Sequence, residues 1–176
     1  MRRTVLALVA LALPAGAFAQ ADAAAAPSPL KAMYLQELAD VQTKIKALAE
    51  AIPEEKYGWR PAPGVRSVGE VFGHIAAGNY YLTKVAGVEP PAGAPDFEKL
   101  GKKDLLVWLD KSYEHVRTAL NSATPEQLDK VVDFFGEKTT ARGIYLKAYG
   151  HLSEHLGQAI AYARANGITP PWSAKG

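Results

Sequence analysis

The chain from Ile144 to Tyr162 reads IYLKAYGHLSEHLGQAIAY, and its apolar residues recur every three or four positions. That spacing places them on one face of an α-helix, which we predict to run from Ile144 to about Asn166. Thr140 is the expected N-cap, and Gly167 is expected to end the helix. The predicted inward face consists of Ile144, Ala148, His151, His155, Ala159 and Tyr162. Two histidines, four residues apart, therefore stand where apolar residues are expected.

Two upstream segments show the same spacing of apolar residues and are predicted to be the first and third helices. The first helix runs from Leu30 to Ile52 and is ended by Pro53. The third helix runs from about Lys102 to Ala123. The inward residues are Tyr34, Leu38, Val41, Ile45, Leu48 and Ile52 in the first helix, and Leu105, Leu109, Tyr113, Val116 and Leu120 in the third.

A second helix is predicted between two connections, residues 59–64 and 90–95, whose prolines and glycines exclude regular structure. It begins at a capping box, in which Ser67 caps the helix and Glu70 reaches back to the Ser67 amide. Its predicted inward face consists of Val71, His74, Gly78, Tyr81 and Val85. A third histidine, His74, is thus expected to face the interior of the protein.

Four helices with one apolar face each, and no series of strands, predict an all-α fold, a four-helix bundle. The connections are longer than the about two to eight residues usual in simple bundles, so we expect crossover connections folded over one end of the bundle. Thr124 begins a short additional turn, and residues 131–138 are predicted to be an extended loop or a small hairpin.

The first 19 residues are predicted to be a cleaved signal peptide. Arg2 and Arg3 precede an apolar run, and Ala17-Phe18-Ala19 places small residues where a signal peptidase cuts. The run is shorter than the about 20 residues that span a bilayer, and an uncleaved anchor is the alternative. Residues 20–29 are predicted to be a flexible leader, and residues 30–176 the bundle with a C-terminal tail. The mature protein is therefore expected to be periplasmic or secreted.

Charge and cysteine content exclude several classes of protein. Of the 20 basic residues two lie in the predicted signal peptide, so 18 remain against 18 acidic residues. A neutral chain without a basic run is not expected to bind nucleic acid, or a membrane after signal cleavage. The sequence has no cysteine. Disulfides and a lipoprotein anchor are therefore excluded, and a bound metal would need nitrogen or oxygen ligands.

The three inward histidines predict a divalent metal site. His151 and His155 are four residues apart, which stacks both imidazoles on one side of a helix, and His74 can face them from the second helix. Three neutral imidazoles suit zinc or nickel first, with iron or manganese as alternatives, and leave a coordination position open. The alternative is that they are hydrogen-bonded core residues. His115 is offset from its helix's inward face, and we predict it to be a solvated surface histidine.

A protease is a weaker hypothesis. His151-Leu152-Ser153-Glu154-His155 fits the inverted zincin pattern H-x-x-E-H, in which Glu154 would be the general base. Those enzymes need a further carboxylate ligand downstream, but neither Asp nor Glu follows His155. Glu154 also points away from the two-imidazole face of a helix. The motif therefore does not by itself predict proteolysis.

Several of these segments together resemble the DinB-like family, a superfamily that includes the bacillithiol and mycothiol S-transferases. The segments are Trp59-Arg60-Pro61, Ser67-Val68-Gly69-Glu70 through to His74, His151-x-x-x-His155-x-Gly157-Gln158, and Arg164-Ala165-Asn166-Gly167-Ile168. The resemblance covers essentially the whole mature chain. It implies a four-helix bundle with a crossover, frequent homodimers, and a metal held by one histidine of the second helix and two of the last. His74, His151 and His155 match those positions, and the family name does not imply DNA binding.

Two classes of function follow from these observations. The first is a metal-dependent enzyme, a thiol S-transferase or a hydrolase, acting on a small molecule or thiol. The second is a non-catalytic periplasmic binder of a metal or a small ligand. The sequence assigns no catalytic residue. Tyr81, Tyr145 and Tyr149 could neighbour the metal site, although tyrosines at this spacing are more often core residues.

Overall fold

The computed structural model describes residues 29–173. The predicted signal peptide and nearly all of the predicted leader lie outside the described residues. Within them, no helix is long and apolar enough to cross a membrane.

The described chain contains four long helices, one short helix and one β-hairpin. Their bounds are α1 Pro29–Ala51, α2 Val68–Val85, α3 Lys102–Ser122, α4 Pro125–Asp129, β1 Val131–Phe134, β2 Glu137–Thr140 and α5 Ala141–Ala165. The four long helices confirm the predicted all-α bundle. The short turn predicted at Thr124 is α4, and the uncertain segment 131–138 is the antiparallel hairpin of β1 and β2.

The capping residues act as the sequence predicts. The Ser67 side chain accepts a hydrogen bond from the Glu70 amide, and the Glu70 carboxylate accepts one from the Ser67 amide at 2.7 Å. The Thr140 side chain likewise accepts a hydrogen bond from the Gly143 amide at the start of α5. These bonds satisfy amides that a helix leaves unpaired at its N-terminus, so the starts of α2 and α5 are set by local sequence.

The order of the helices around the bundle differs from their order in the chain. Both α1 and α2 pack against α3 and α5, so α1 and α2 lie across the bundle from each other. The connection between them, residues 52–67, must therefore cross one end of the bundle, which is the predicted type of connection. The same arrangement makes α2 and α5 direct neighbours, and these two helices carry the three candidate ligands.

The predicted inward faces of α1 and α3 form the core of the bundle. Nearly all of these side chains are buried, and Tyr34 is half-buried. The fully buried large side chains in the core are Leu38, Ile45, Leu48, Ile52, Val71, Phe72, Ile75, Leu105, Leu109, Val116, Ile144 and Leu152. Apolar area of this kind stabilises a folded domain by roughly 25 cal/mol for each Å² removed from water.

The predicted inward face of α2 is wrong at Tyr81, whose exposed fraction is 45%. The buried arc of α2 is wide and includes Phe72, Ile75 and Asn79. The reason is that α2 is covered on several sides, by α3, by α5 and by a short 3₁₀ turn at Phe97–Lys99 in the α2–α3 connection. Periodicity alone cannot identify the centre of so wide an arc.

Candidate metal centre

The structure brings the three predicted histidines together. His74 is in the first half of α2, and His151 and His155 stand one turn apart on the facing side of α5. One nitrogen of each ring can be chosen so that all three lie within 4.8 Å of one another. The Nε2 atoms of His74 and His151 are 3.2 Å apart, so one ring donates a hydrogen bond to the other. Among residues 29–173, no other group of three or more histidine, cysteine, aspartate or glutamate side chains is close enough together to hold one metal ion.

The imidazoles lie at the rim of the core. The sequence placed His151 and His155 on the buried face of their helix, but both are half-buried, as is His74. The side chains of α5 that enter the core beside them are Leu152 and Leu156. The difference arises because the apolar arc of α5 is centred about one residue further along than the predicted face. One side of the cluster is therefore open to solvent.

The environment keeps two of the imidazoles neutral. Burial, together with the nearby His155 and His74, lowers the pKa of His151 to about 4. Burial lowers the pKa of His74 as well, and the Arg66 guanidinium lowers it further. Both rings are therefore neutral at pH 7, and neutral imidazole is the form that binds a metal ion.

Gln158 orients the third imidazole. The Nδ1 atom of His155 donates a hydrogen bond to the Gln158 amide oxygen at 2.8 Å, because an amide oxygen can only accept. The Gln158 amide nitrogen in turn donates to the Tyr162 hydroxyl at 3.0 Å. This arrangement leaves the His155 Nε2 lone pair free to bind an ion, as outer-shell partners of metal-binding histidines do. The sequence did not identify Gln158 as functional, although its position three residues after His155 on a helix was a usable signal.

Gly78 makes room for the His151 ring. A Cβ atom built on Gly78 would lie 2.4 Å from Cε1 of His151, well inside van der Waals contact. The sequence predicted Gly78 only as part of the inward face of the second helix. Its role is steric, because the imidazole occupies the space that any side chain would fill.

The prediction that His115 is a solvated surface histidine is wrong. The ring is half-buried, its centroid lies 5.1 Å from that of Tyr80, and its Nε2 atom is buried without a hydrogen-bond partner. Burial lowers the pKa of His115. The α2–α3 connection covers this side of α3, where Val88 contacts His115 and Phe97 packs against Trp108. Helical periodicity does not indicate such a cover. His115 does not belong to the three-histidine group.

The other sequence candidates stand apart from the histidines. Tyr145 is buried with Leu120 and Leu128, and Tyr149 packs edge-on against Tyr34 of α1. These two tyrosines supply core area. Glu154 is exposed, and no carboxylate of the described residues joins the histidine group. The arrangement that an inverted zincin requires is therefore not formed by residues 29–173.

The donor set fits a divalent metal ion. Three imidazole nitrogens are within reach of one position, two of the rings are held neutral, and the third has its donor nitrogen engaged by Gln158. The fold and the cluster together define a class: an all-α four-helix bundle with a candidate three-histidine metal centre between two adjacent helices.

Residues 37–159 match the family model of the DinB superfamily, and the chain belongs to that superfamily. The protein YjoA of Bacillus subtilis (strain 168) is 31% identical over 126 residues, which is 69% of this chain and 81% of YjoA. The crystal structure of YjoA, a DinB-like protein, superposes with a TM-score of 0.64 at 27% identity, covering 78% of this chain and 93% of that chain. The resemblance inferred from the sequence is thereby confirmed.

Two more distant structures share the fold. A DinB-like protein from Bacillus cereus ATCC 10987 superposes with a TM-score of 0.70 at 21% identity, covering 78% of this chain and 93% of that chain. YfiT from Bacillus subtilis, described as a probable metal-dependent hydrolase with an unusual four-helix bundle topology, superposes with a TM-score of 0.63 at 18% identity. That alignment covers 81% of this chain and 91% of YfiT.

Removing the Gln158 amide is expected to weaken metal binding without removing a ligand. Gln158→Leu should lower metal affinity about 10- to 100-fold, because His155 loses the acceptor that holds its ring. Gln158→Glu should retain most of the affinity, since a carboxylate accepts the same hydrogen bond. Competition with a chromophoric chelator measures both variants. Equal affinities for wild type and Gln158→Leu would show that the hydrogen bond does not orient the ligand.

Proposed function

We propose that this protein is a divalent-metal-dependent enzyme that acts on a small molecule. The observation that carries the proposal is the half-buried cluster of His74, His151 and His155, which would hold the ion and leave one side open. Zinc or nickel suits three imidazoles best, and iron or manganese would also be accepted.

The charge of the site favours an anionic ligand. Three neutral imidazoles do not compensate the charge of a divalent ion, and a partly buried uncompensated charge is costly. Arg66 stands close enough to lower the pKa of His74 and His151, although Glu98 pairs with it at 3.1 Å. When bound, a divalent ion acts as a Lewis acid and lowers the pKa of a coordinated water or thiol. The chain has no cysteine, so a thiolate would have to come from the substrate.

The superfamily supports two reactions for such a site. YfiT is described as a probable metal-dependent hydrolase, and its similarity to this chain is one of fold. The thiol S-transferases implied by the sequence resemblance would use the same open position for the sulfur of a small thiol. A hydrolase activates water at the ion and a transferase activates the thiol, so the two differ in the ligand that the ion prefers.

Loading with cobalt(II) distinguishes these reactions. The visible spectrum of the cobalt protein should change when small thiols are added if the protein is an S-transferase. A spectrum that changes with pH and with azide, but not with thiols, would support a hydrolase. A spectrum indifferent to every addition would mean a closed coordination sphere, which would contradict the proposed enzyme and favour a non-catalytic binder.

We also propose that the protein is exported to the periplasm or secreted. The support is the sequence alone: a basic start, an apolar run and Ala17-Phe18-Ala19. Intact-mass measurement of the protein from its native host should show a chain that begins at Gln20. A full-length cytosolic species as the main form would contradict export.

A further inference from the structure

We propose that Tyr81 and Phe135 form an aromatic platform that binds the flat, apolar part of an anionic substrate whose charged group reaches the metal centre. The proposal rests on the proposed metal-dependent function and names the class of substrate. It depends on the tip of the β-hairpin, which contributes no ligand to the histidine cluster.

The two rings of the platform are exposed, and they lie next to each other. Phe135, at the tip of the hairpin, has an exposed fraction of 79%, and Tyr81 on α2 has one of 45%. Their ring centroids are 5.9 Å apart at an angle of 33°. Phe134, the neighbour of Phe135, is anchored instead against the apolar side chains of Leu82, Ile144 and Ala148. The hairpin is therefore fixed by one phenylalanine and presents the other to solvent.

The backbone at the tip is unfavourable for the residue it carries. Phe134 pairs with Glu137, so Phe135 and Gly136 are the two central residues of the turn. Both have positive φ, 53° and 86°, as in a type I′ turn. Asparagine or glycine adopts this conformation readily at the first position, whereas phenylalanine is strained there. The Phe135 ring touches the rings of Phe134 and Tyr81 but stays mostly exposed. It therefore buries little surface to offset the backbone strain, which indicates a role for the ring outside folding.

The platform stands about one helical turn from the histidines. Gly78 contacts the His151 ring, and Tyr81 is one turn further along the same side of α2. On α5, Lys147 is one turn before His151, and its Nζ lies 5.0 Å from the Phe134 ring centroid. A molecule that spans about one turn, roughly 5 Å, would reach from the metal centre to the platform.

The charges near the platform define the other end of the ligand. Lys147 is exposed, and its ammonium lies over the Phe134 ring; among residues 29–173 no ion pair joins it to a carboxylate. Together with the uncompensated charge of a bound ion, this lysine favours an anion between the histidines and the hairpin. The ligand is therefore a small carboxylate or thiolate that carries an aromatic ring about three bonds away.

The test compares two carboxylates that differ in the ring. The cobalt(II)-loaded full chain is titrated with 3-phenylpropanoate and with butanoate, and the visible spectrum yields both dissociation constants. Wild type should bind 3-phenylpropanoate about tenfold more tightly, a preference of the size that aromatic contacts supply. Phe135→Asn should reduce the preference to about twofold and leave butanoate binding unchanged. Because asparagine suits the type I′ turn, the melting temperature should stay the same or rise.

Two further variants control the result. Tyr81→Leu keeps an apolar side chain on α2 but removes the ring, and it should also lower the preference. Trp172→Ala removes another exposed aromatic side chain, in the 3₁₀ turn Pro171–Ser173, and should leave the preference intact. Equal binding of both carboxylates by wild type, or a preference that survives Phe135→Asn and Tyr81→Leu, would overturn the platform alone. If neither carboxylate changes the spectrum, the open metal position fails as well, and the proposed function with it.

Discussion

Replacing His74, His151 or His155 singly with alanine is expected to lower the affinity for zinc or nickel about 100- to 1,000-fold. Each ring supplies one of three nitrogens that lie within 4.8 Å of one another, so each replacement removes a third of the protein's ligands. Isothermal titration, or competition with a chelator, measures the loss directly. The three variants should be impaired to a similar degree, because no other ligand-type side chain of the described chain joins the group.

Thermal stability provides a second measurement of the same variants. An ion that binds only the folded protein stabilises it by about 2.7 kcal/mol when its concentration is 100 times Kd. Zinc should therefore raise the melting temperature of wild type and fail to raise that of the three variants. His115→Ala is the matched control, since it removes a half-buried histidine outside the cluster and should keep the metal-dependent shift. Loss of the shift in His115→Ala and its retention in His74→Ala would refute the assigned ligands.

Gly78→Ala is expected to impair the site without touching a ligand. The added methyl group would lie 2.4 Å from Cε1 of His151, so the imidazole must move away from its partner on α2. Cε1 is at the far end of a half-buried side chain, so the ring can move at little cost in stability, and the helical preference for alanine offsets part of that cost. We expect metal affinity to fall at least about tenfold, because a displaced imidazole no longer faces the other two, and the melting temperature of the metal-free protein to change little.

Gly150→Ala is the control for this substitution. Gly150 immediately precedes His151 on α5, but a Cβ atom there meets nothing within 4 Å. The variant should bind metal as wild type does and gain up to about 1 kcal/mol of stability, since alanine is the better helix former. If Gly78→Ala behaves like Gly150→Ala, the ring has room to move and Gly78 does not shape the site.

Features that depend on residues close together in the sequence could be predicted from the sequence alone. The bounds of the long helices follow from apolar spacing and from capping side chains such as Ser67 and Thr140, which act within one turn. The spacing of His151 and His155 likewise guarantees that both rings project from one side of α5, whatever packs against it. The buried faces of α1 and α3 were correct for the same reason, because each is one narrow apolar stripe.

Tertiary packing decided the remaining features. Because α2 is covered by α3, by α5 and by the α2–α3 connection, its buried residues differ from those that periodicity predicts. Tyr81 is therefore exposed to solvent and contacts Phe135. The α2–α3 connection half-buries His115, and β1 of the hairpin packs against α2. None of these contacts joins residues close in sequence, and their free energy comes from surfaces that meet only after the helices have docked. Periodicity shows which side of a helix is apolar. Whether an imidazole such as His151 lies in the core or at its rim depends on how far the neighbouring helices cover that side.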